Sequence, residues 1–337
     1  MWWRLATFGA QLADADNPMQ VWHSLAEAHS PRAVTTLGFF DGLHVGHQHL
    51  LQQVRHHAAE HGAPAVAVTL WPHPRIVLGH APHQLELIND LESKLALLAE
   101  VGLDGVVVLD FTLEMAAKSA GEFLSMICQS PLAPSAIFMG YDHRFGHGGQ
   151  GDFAQLEAFA QVHRFEAYQS APVMMDGLAV SSTLIRESIR QGQLERAMRY
   201  MDRPFAFWGT VGHGFQLGQE LGFPTANIAP RGEWQLLPGH GVYEGVCQIP
   251  NHERYQAVVN VGTRPTVNSS HAVSIEAHLL GYSGDLYGAN VEITFLRKLR
   301  DELKFSTLAA LKAQIAHDVA SVMQGGRASD GESPIQS

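Results

Sequence analysis

The sequence predicts an α/β doubly wound parallel sheet followed by a compact antiparallel β-barrel with a C-terminal helix. Three observations carry that expectation. Short runs rich in Val and Ile alternate with helical patterns through the first half, the signature of a parallel sheet covered on both faces. Beyond about residue 200 the candidate strands follow one another without intervening helices, as in a small barrel. One last helical pattern, at 307–323, closes the second part.

In chain order, strands are expected at 34–38, 65–70, 105–109 and 136–140, and helices at 48–60, 91–101, 121–128 and 153–162. Asp152 is placed to cap the last of these helices. Two short helices follow at 183–191 and 194–201. The barrel strands are expected at 205–211, 241–249, 255–261, 274–280 and 290–295, punctuated by Pro238-Gly239-His240-Gly241 and Ser283-Gly284-Asp285. The tail from Gln324 to Ser337 has little to bury and reads as disordered. The division is then residues 1–187, a helical connector at 188–203, a barrel domain at 204–324 and a tail at 325–337.

Composition narrows the function classes. Hydrophobic residues make up 46% and charged residues 16%, which suits two packed cores in 337 residues. The formal net charge of -11 argues against a nucleic-acid binder, so any anionic ligand must be held by local groups. Cys128 and Cys247 form neither a metal spacing nor a disulfide framework, which fits a reducing cytoplasm. No apolar run has the length of a membrane span, so no membrane partner is expected. The first ten residues have a short apolar core soon followed by Gln11 and Asp14, and are not expected to be a signal peptide. Most of the 20 histidines, including His56, His57, His61, His80 and His83, read as solvated positions with no ligand pattern.

One stretch resists that bland reading. Gly38-Phe-Phe-Asp-Gly-Leu-His-Val-Gly-His47 lies where the first expected strand hands over to a helix. His44 and His47 are three apart, hence on one side of a helical turn, and Gly46 allows close approach of backbone or ligand. Charged imidazoles are disfavoured at a helix N-terminus unless an anion shares the site, and a phosphate is such an anion. No P-loop is present. Gly146-His-Gly-Gly-Gln-Gly151 has dinucleotide-type glycine spacing but does not directly follow a strand, and reads as a flexible loop.

The stretch resembles the Gly-x-Phe-Asp-Gly-x-His-x-Gly-His motif of the nucleotidylyltransferase superfamily, specifically the flavin adenylyltransferase half of bacterial bifunctional riboflavin kinase/FAD synthetases. Thr69-Leu-Trp-Pro-His-Pro74, Gly140-Tyr-Asp-His-Arg-Phe-Gly146 and Ser181-Ser-Thr-Leu-Ile-Arg186 resemble further motifs of that family, in its order. The resemblance implies a nucleotidylyltransferase-like sheet in which His44, His47 and Arg186 act at the ATP phosphates. Gly38, Phe40, Asp41, Gly46, Ser182 and Thr183 would complete the ATP site, and Pro72, His73 and Asp142 the flavin site. On residue type alone, Ser181-Ser-Thr183 is also a good helix cap, but Arg186 in the first turns asks for an anion.

In the second half, Gly218-Gln-Glu-Leu-Gly-Phe-Pro-Thr-Ala-Asn227 resembles the riboflavin kinase signature. Gly214, Gly218 and Gly222 would belong to a phosphate-covering loop. Thr225 and Asn227, two apart on a short strand, offer oxygens suited to Mg²⁺. Asn260-Val-Gly-Thr-Arg-Pro-Thr266, Ser274-Ile-Glu-Ala-His-Leu-Leu280, Gly284-Asp-Leu-Tyr-Gly288 and Arg300-Asp-Glu-Leu-Lys-Phe305 extend the match. It implies Glu276 as general base toward riboflavin and Arg264 as a flavin contact.

Departures from the family pattern include Phe39 for Asn, Gly149 for Arg, Gln219 for Arg and Gly281 for Asp. The implied enzyme uses riboflavin, FMN, ATP and Mg²⁺, and its oligomeric state is open. Two rivals stand beside it: a nucleotidylyltransferase for another phosphate ester, and a flavin-binding regulatory protein.

Overall fold

The computed structural model describes residues 19–79, 86–212, 217–232, 234–263 and 273–329. Gly214, Arg264, His80, His83, the first ten residues and the end of the tail lie outside them. The chain forms two compact units, divided between Ser182 and Thr183.

The first unit runs β1 (Gln20–Trp22), β2 (Val34–Leu37), α1 (Val45–Glu60), β3 (Ala65–Trp71), α2 (Pro74–Val77), α3 (Leu91–Val101) and β4 (Gly105–Asp110). It continues through α4 (Leu113–Ala117), α5 (Ala120–Cys128), β5 (Ala136–Gly140), α6 (Phe153–His163) and β6 (Glu166–Ser170), ending in a small hairpin, β7 (Met174–Met175) and β8 (Leu178–Ala179). The six-stranded sheet has the order β1-β4-β3-β2-β5-β6 and every pairing in it is parallel. Alternate residues of one strand serve opposite faces. Leu37, Val66, Val107 and Ile137 pack with Phe123, Leu124 and Leu156 of α5 and α6. Val34, Ala67, Val106 and Phe138 pack with Leu51, Val54 and Leu98 of α1 and α3. That is the expected doubly wound arrangement. The chain runs outward from β2 to β4, then restarts on the other side of β2 with β5. The gap beyond the carboxyl ends of β2 and β5 is therefore the topological switch point, where such sheets bind ligands.

The second unit begins with α7 (Ser182–Arg190, its first residue on the other side of the division) and α8 (Leu194–Met201). Then follow β9 (Phe205–Gly212), α9 (Leu217–Glu220), β10 (Ala226–Pro230), β11 (Gly241–Gln248), β12 (Arg254–Thr263), β13 (Val273–Leu279), β14 (Asn290–Arg300) and α10 (Leu308–Ser329). The strands close a barrel in the order β10-β13-β12-β11-β14-β9, antiparallel throughout. Phe205, Phe207 and Tyr243 pack their rings around Phe295 inside it. Arg300 at the end of β14 holds buried Asp318 of α10 with contacts of 2.8–3.2 Å, and Gln314 donates to the same carboxylate.

The expected elements are present within a few residues, with differences at edges and ends. Beyond the expected strands the sheet gains β1 and β6. The first has three residues and the second shows no apolar alternation, being exposed at Glu166, Tyr168 and Gln169. α10 extends to Ser329, past the point where a disordered tail was expected. Once a helix is nucleated, each further residue adds a hydrogen bond, so it can run on through residues of poor propensity. No helix among the described residues is long and apolar enough to cross a membrane.

Candidate functional site

The first candidate site lies at the switch point. Leu37 and Met139 are register partners on β2 and β5, and the loops that follow these strands carry 38–44 and 141–149. Both loops line a cavity of about 600 Å³, together with Pro74, Phe111 and Met115. Its walls are mostly apolar, with Phe39, Phe111, Phe123 and Phe145 contributing rings, which suits a flat aromatic ligand.

His44 is the N-cap of α1, and its Nδ1 accepts a hydrogen bond from the His47 N–H at 3.3 Å. The two imidazoles stack, with centroids 3.7 Å apart and planes at 17°. A Cβ on Gly46 would come within 3.2 Å of the His44 ring, so glycine leaves that imidazole its place across the helix start. The capping bond requires Nδ1 of His44 to be unprotonated, which leaves its Nε2 the proton-bearing, donating nitrogen.

Phe40 and Asp41 serve the loop itself. Phe40 is buried with its ring edge-on to His47. Asp41 is buried too, and its Oδ1 accepts from the backbone N–H groups of Ile88 and Asn89 at 3.0 and 3.2 Å. Both are expected among the ATP-site residues, and both also fix the loop that carries the histidines. Ser182 Oγ donates to the Asp41 carbonyl at 2.8 Å, so the start of α7 is tied to the same loop. Thr183 and Arg186 continue along α7, beyond the division between the units.

Of the expected flavin contacts, Pro72, His73 and Asp142 are not among the lining residues of the cavity; their neighbours Pro74 and His143 are. His73 caps α2, its Nδ1 accepting from the Arg75 N–H at 3.2 Å, and its ring meets Phe39 at 4.8 Å. Phe39, a departure from the family pattern, thus has a partner and a place in the wall. His143 was not singled out from the sequence. Burial pushes it down to about 4 against the opposing pull of Asp142, so it faces the cavity as a neutral imidazole. Its signal was visible: it stands where the resembled motif has Phe. Gly149, another departure, also lines the cavity.

The second candidate site lies on the barrel. Thr225 and Asn227 line a cavity of about 420 Å³ with Val211, Leu279, Tyr282 and Asp285. Gly218 folds onto this turn. Its carbonyl accepts from the Phe223 N–H at 2.8 Å, and a Cβ there would lie 2.4 Å from the Phe223 carbonyl and 3.1 Å from Thr225 Oγ1. Gly222 is in the left-handed region at φ +85°. Across the sheet, Asn227 of β10 stands opposite Glu276 of β13, which stands opposite Asn260 of β12. Directly opposed residues share a face, so the three form one polar row. Two residues along β13, His278 places Nδ1 2.8 Å from the Pro224 carbonyl. A carbonyl can only accept, so this nitrogen bears the proton. Neither Asn260 nor His278 is singled out by the sequence; the two-residue period of β13 puts His278 on the face of Glu276.

Comparison with known proteins follows this division. The FAD synthetase family matches residues 26–184 and the riboflavin kinase family residues 201–325. The bifunctional riboflavin kinase/FMN adenylyltransferase of Escherichia coli (strain K12) is 35% identical over 298 residues, 88% of this chain and 93% of that protein. The protein of the same name from Pseudomonas fluorescens is 36% identical over 300 residues, 88% and 94% of the two chains. Among solved structures, a Streptococcus pneumoniae chain titled a macrolide-efflux protein superposes with a TM-score of 0.82 at 26% identity, covering 90% of this chain and 98% of its own.

Proposed function

The chain belongs to the bifunctional riboflavin kinase/FMN adenylyltransferase family, and from that premise we propose how its two sites divide the work. The C-terminal unit is the riboflavin kinase and the N-terminal unit the FMN adenylyltransferase. The carrying observation is that each unit has its own cavity, one at the switch point of a parallel sheet and one on the barrel.

In the kinase, riboflavin's ribityl 5′-hydroxyl attacks the γ-phosphorus of ATP, the bond to the β-phosphate oxygen breaks, and ADP leaves with FMN as the other product. Glu276 accepts the hydroxyl proton, and the opposition of Asn227 and Asn260 supports a fixed carboxylate for that role. Gly218 and Gly222 hold the loop over the phosphates, with Gly214 and Arg264 assigned by resemblance. The Thr225 hydroxyl and Asn227 carbonyl are hard oxygen donors on one cavity wall, a set that fits Mg²⁺. When bound there, the ion neutralises phosphate charge.

In the adenylyltransferase, an oxygen of FMN's phosphate attacks the α-phosphorus of ATP, and pyrophosphate leaves. His44 and His47 donate to phosphate oxygens as charge builds at the α-phosphorus, helped by the positive end of the helix dipole at the start of α1. Ser182, Thr183 and Arg186 are assigned by resemblance to a second phosphate clamp. The flavin ring occupies the apolar cavity between Phe39 and His143.

Incubation with riboflavin, ATP and Mg²⁺, followed by chromatographic separation of the flavins, tests this. FMN should appear first and FAD after it; a reaction that yields neither overturns the reading.

A further inference from the structure

The far end of α1 carries a group of donors that neither reaction uses. His57, Glu60 and His61 follow a spacing of three and four, which sets them on one side of the helix. One donor atom from each lies within 4.8 Å of the others, the one such gathering of three or more His, Cys, Asp or Glu among the described residues. Glu166, the first residue of β6, brings a second carboxylate to 3.5 Å from His57 Nε2. His56 and His61 are exposed, as the sequence suggests, whereas His57 is half-buried.

The rings are held. His57 lies against Phe138 and Tyr168, with centroids at 5.4 and 5.1 Å, and its side chain is 16% exposed. His61 stacks on it at 4.2 Å. His61 Nδ1 is 2.8 Å from the His57 carbonyl oxygen. A carbonyl only accepts, so Nδ1 carries the proton and Nε2 keeps its lone pair. An imidazole held by its other nitrogen on a carbonyl is the arrangement that orients histidine toward a metal ion. The helix end adds to this, because its last carbonyls favour a positive charge.

We propose that His57, Glu60 and His61, with Glu166, form a binding site for a divalent transition-metal ion of the zinc class. Two imidazoles with carboxylate oxygens suit Zn²⁺, Co²⁺ or Ni²⁺, whereas Mg²⁺ prefers an all-oxygen set. A bound ion would join α1, through its last turn, to the edge strand β6. The site stands apart from both reactions, so its success or failure leaves the assignment of the two activities untouched.

The full-length chain, without an affinity tag and stripped by chelator, is titrated with Zn²⁺ by calorimetry and with Co²⁺ by visible absorption. The expected result is one ion per chain, retained in millimolar Mg²⁺, with a rise in melting temperature. His61→Ala and Glu60→Gln alter exposed side chains, so folding should survive. Each should weaken Zn²⁺ binding by about tenfold or more and remove the thermal shift. His47→Ala, which alters the other stacked histidine pair, should bind Zn²⁺ as the native chain does. Absence of binding by the native chain, unchanged binding in His61→Ala, or loss of binding in His47→Ala each overturns the proposal.

Discussion

Glu276 and Asn227 face each other across the β10–β13 ladder, so the proposed base and a proposed metal ligand are held in register by backbone hydrogen bonds. Glu276→Gln keeps the shape and removes the proton acceptor. FMN formation should fall by about 10²- to 10⁴-fold, while FAD formation from supplied FMN stays at the native rate. Separate assays from riboflavin and from FMN check both halves of the statement.

The histidine pair gives the reciprocal result with an added split. His47→Ala should abolish FAD formation and leave FMN formation intact. His44→Ala should do the same and also cost about 1 kcal/mol of stability, because His44 is the side-chain cap of α1. Chemical denaturation of the two variants separates the cap from the chemistry.

Phe39→Asn restores the residue common in the family but removes the ring that meets His73 at 4.8 Å. Losing an aromatic pair worth about 0.5–1.5 kcal/mol should raise the KM for FMN by about 2- to 10-fold, with kcat little changed. Steady-state kinetics of FAD formation reads this directly.

Lys94 is buried above the Trp71 ring, and burial pulls it from 10.5 down to about 8 despite the Asp41 charge. Between those values the unfolded chain binds more protons than the folded one, so stability rises with pH across that window. Below about pH 8 the cost of burying the ammonium is present in full. Lys94→Met should remove a rise of about 3 kcal/mol and flatten the curve. Urea denaturation at a series of pH values measures it; an unchanged slope would show that the ammonium carries no such cost.

Arg300→Ala would leave the Asp318 carboxylate, only 4% exposed, without its guanidinium. Breaking a buried pair from one side costs about 3–5 kcal/mol. The double variant Arg300→Met with Asp318→Leu should recover most of that loss. Thermal melts of the native chain and both variants check this.

The layers of the fold were legible because apolar period and turn residues mark β2–β5 and most barrel strands. β1 and β6 were not, since an edge strand of three residues, or one that is mostly solvated, buries too little to leave a pattern. At the sites, the histidine pair stood out by residue type and spacing, whereas Thr225, Asn227 and Glu276 were marked by the resemblance that surrounds them. Asp41, assigned to the ATP site by resemblance, has a further part that no local pattern shows: its carboxylate accepts from the N–H groups of Ile88 and Asn89, far along the chain and brought close only by the fold. The gathering at the last turn of α1 was likewise hidden from the sequence: Glu166 arrives from another strand, and the tautomer of His61 is set by a backbone carbonyl.

β10 has five residues and pairs with both β9 and β13, which makes it the stave that seals the barrel. Were it to peel away, β9 and β13 would each present a row of unpaired backbone groups to other chains, an invitation to edge-to-edge aggregation. Asn227, a ligand candidate, sits in this stave, and Thr225 comes directly before it. The requirements of catalysis and of solubility therefore fall on one short segment, and a substitution that loosens it would be felt as insolubility as well as lost turnover.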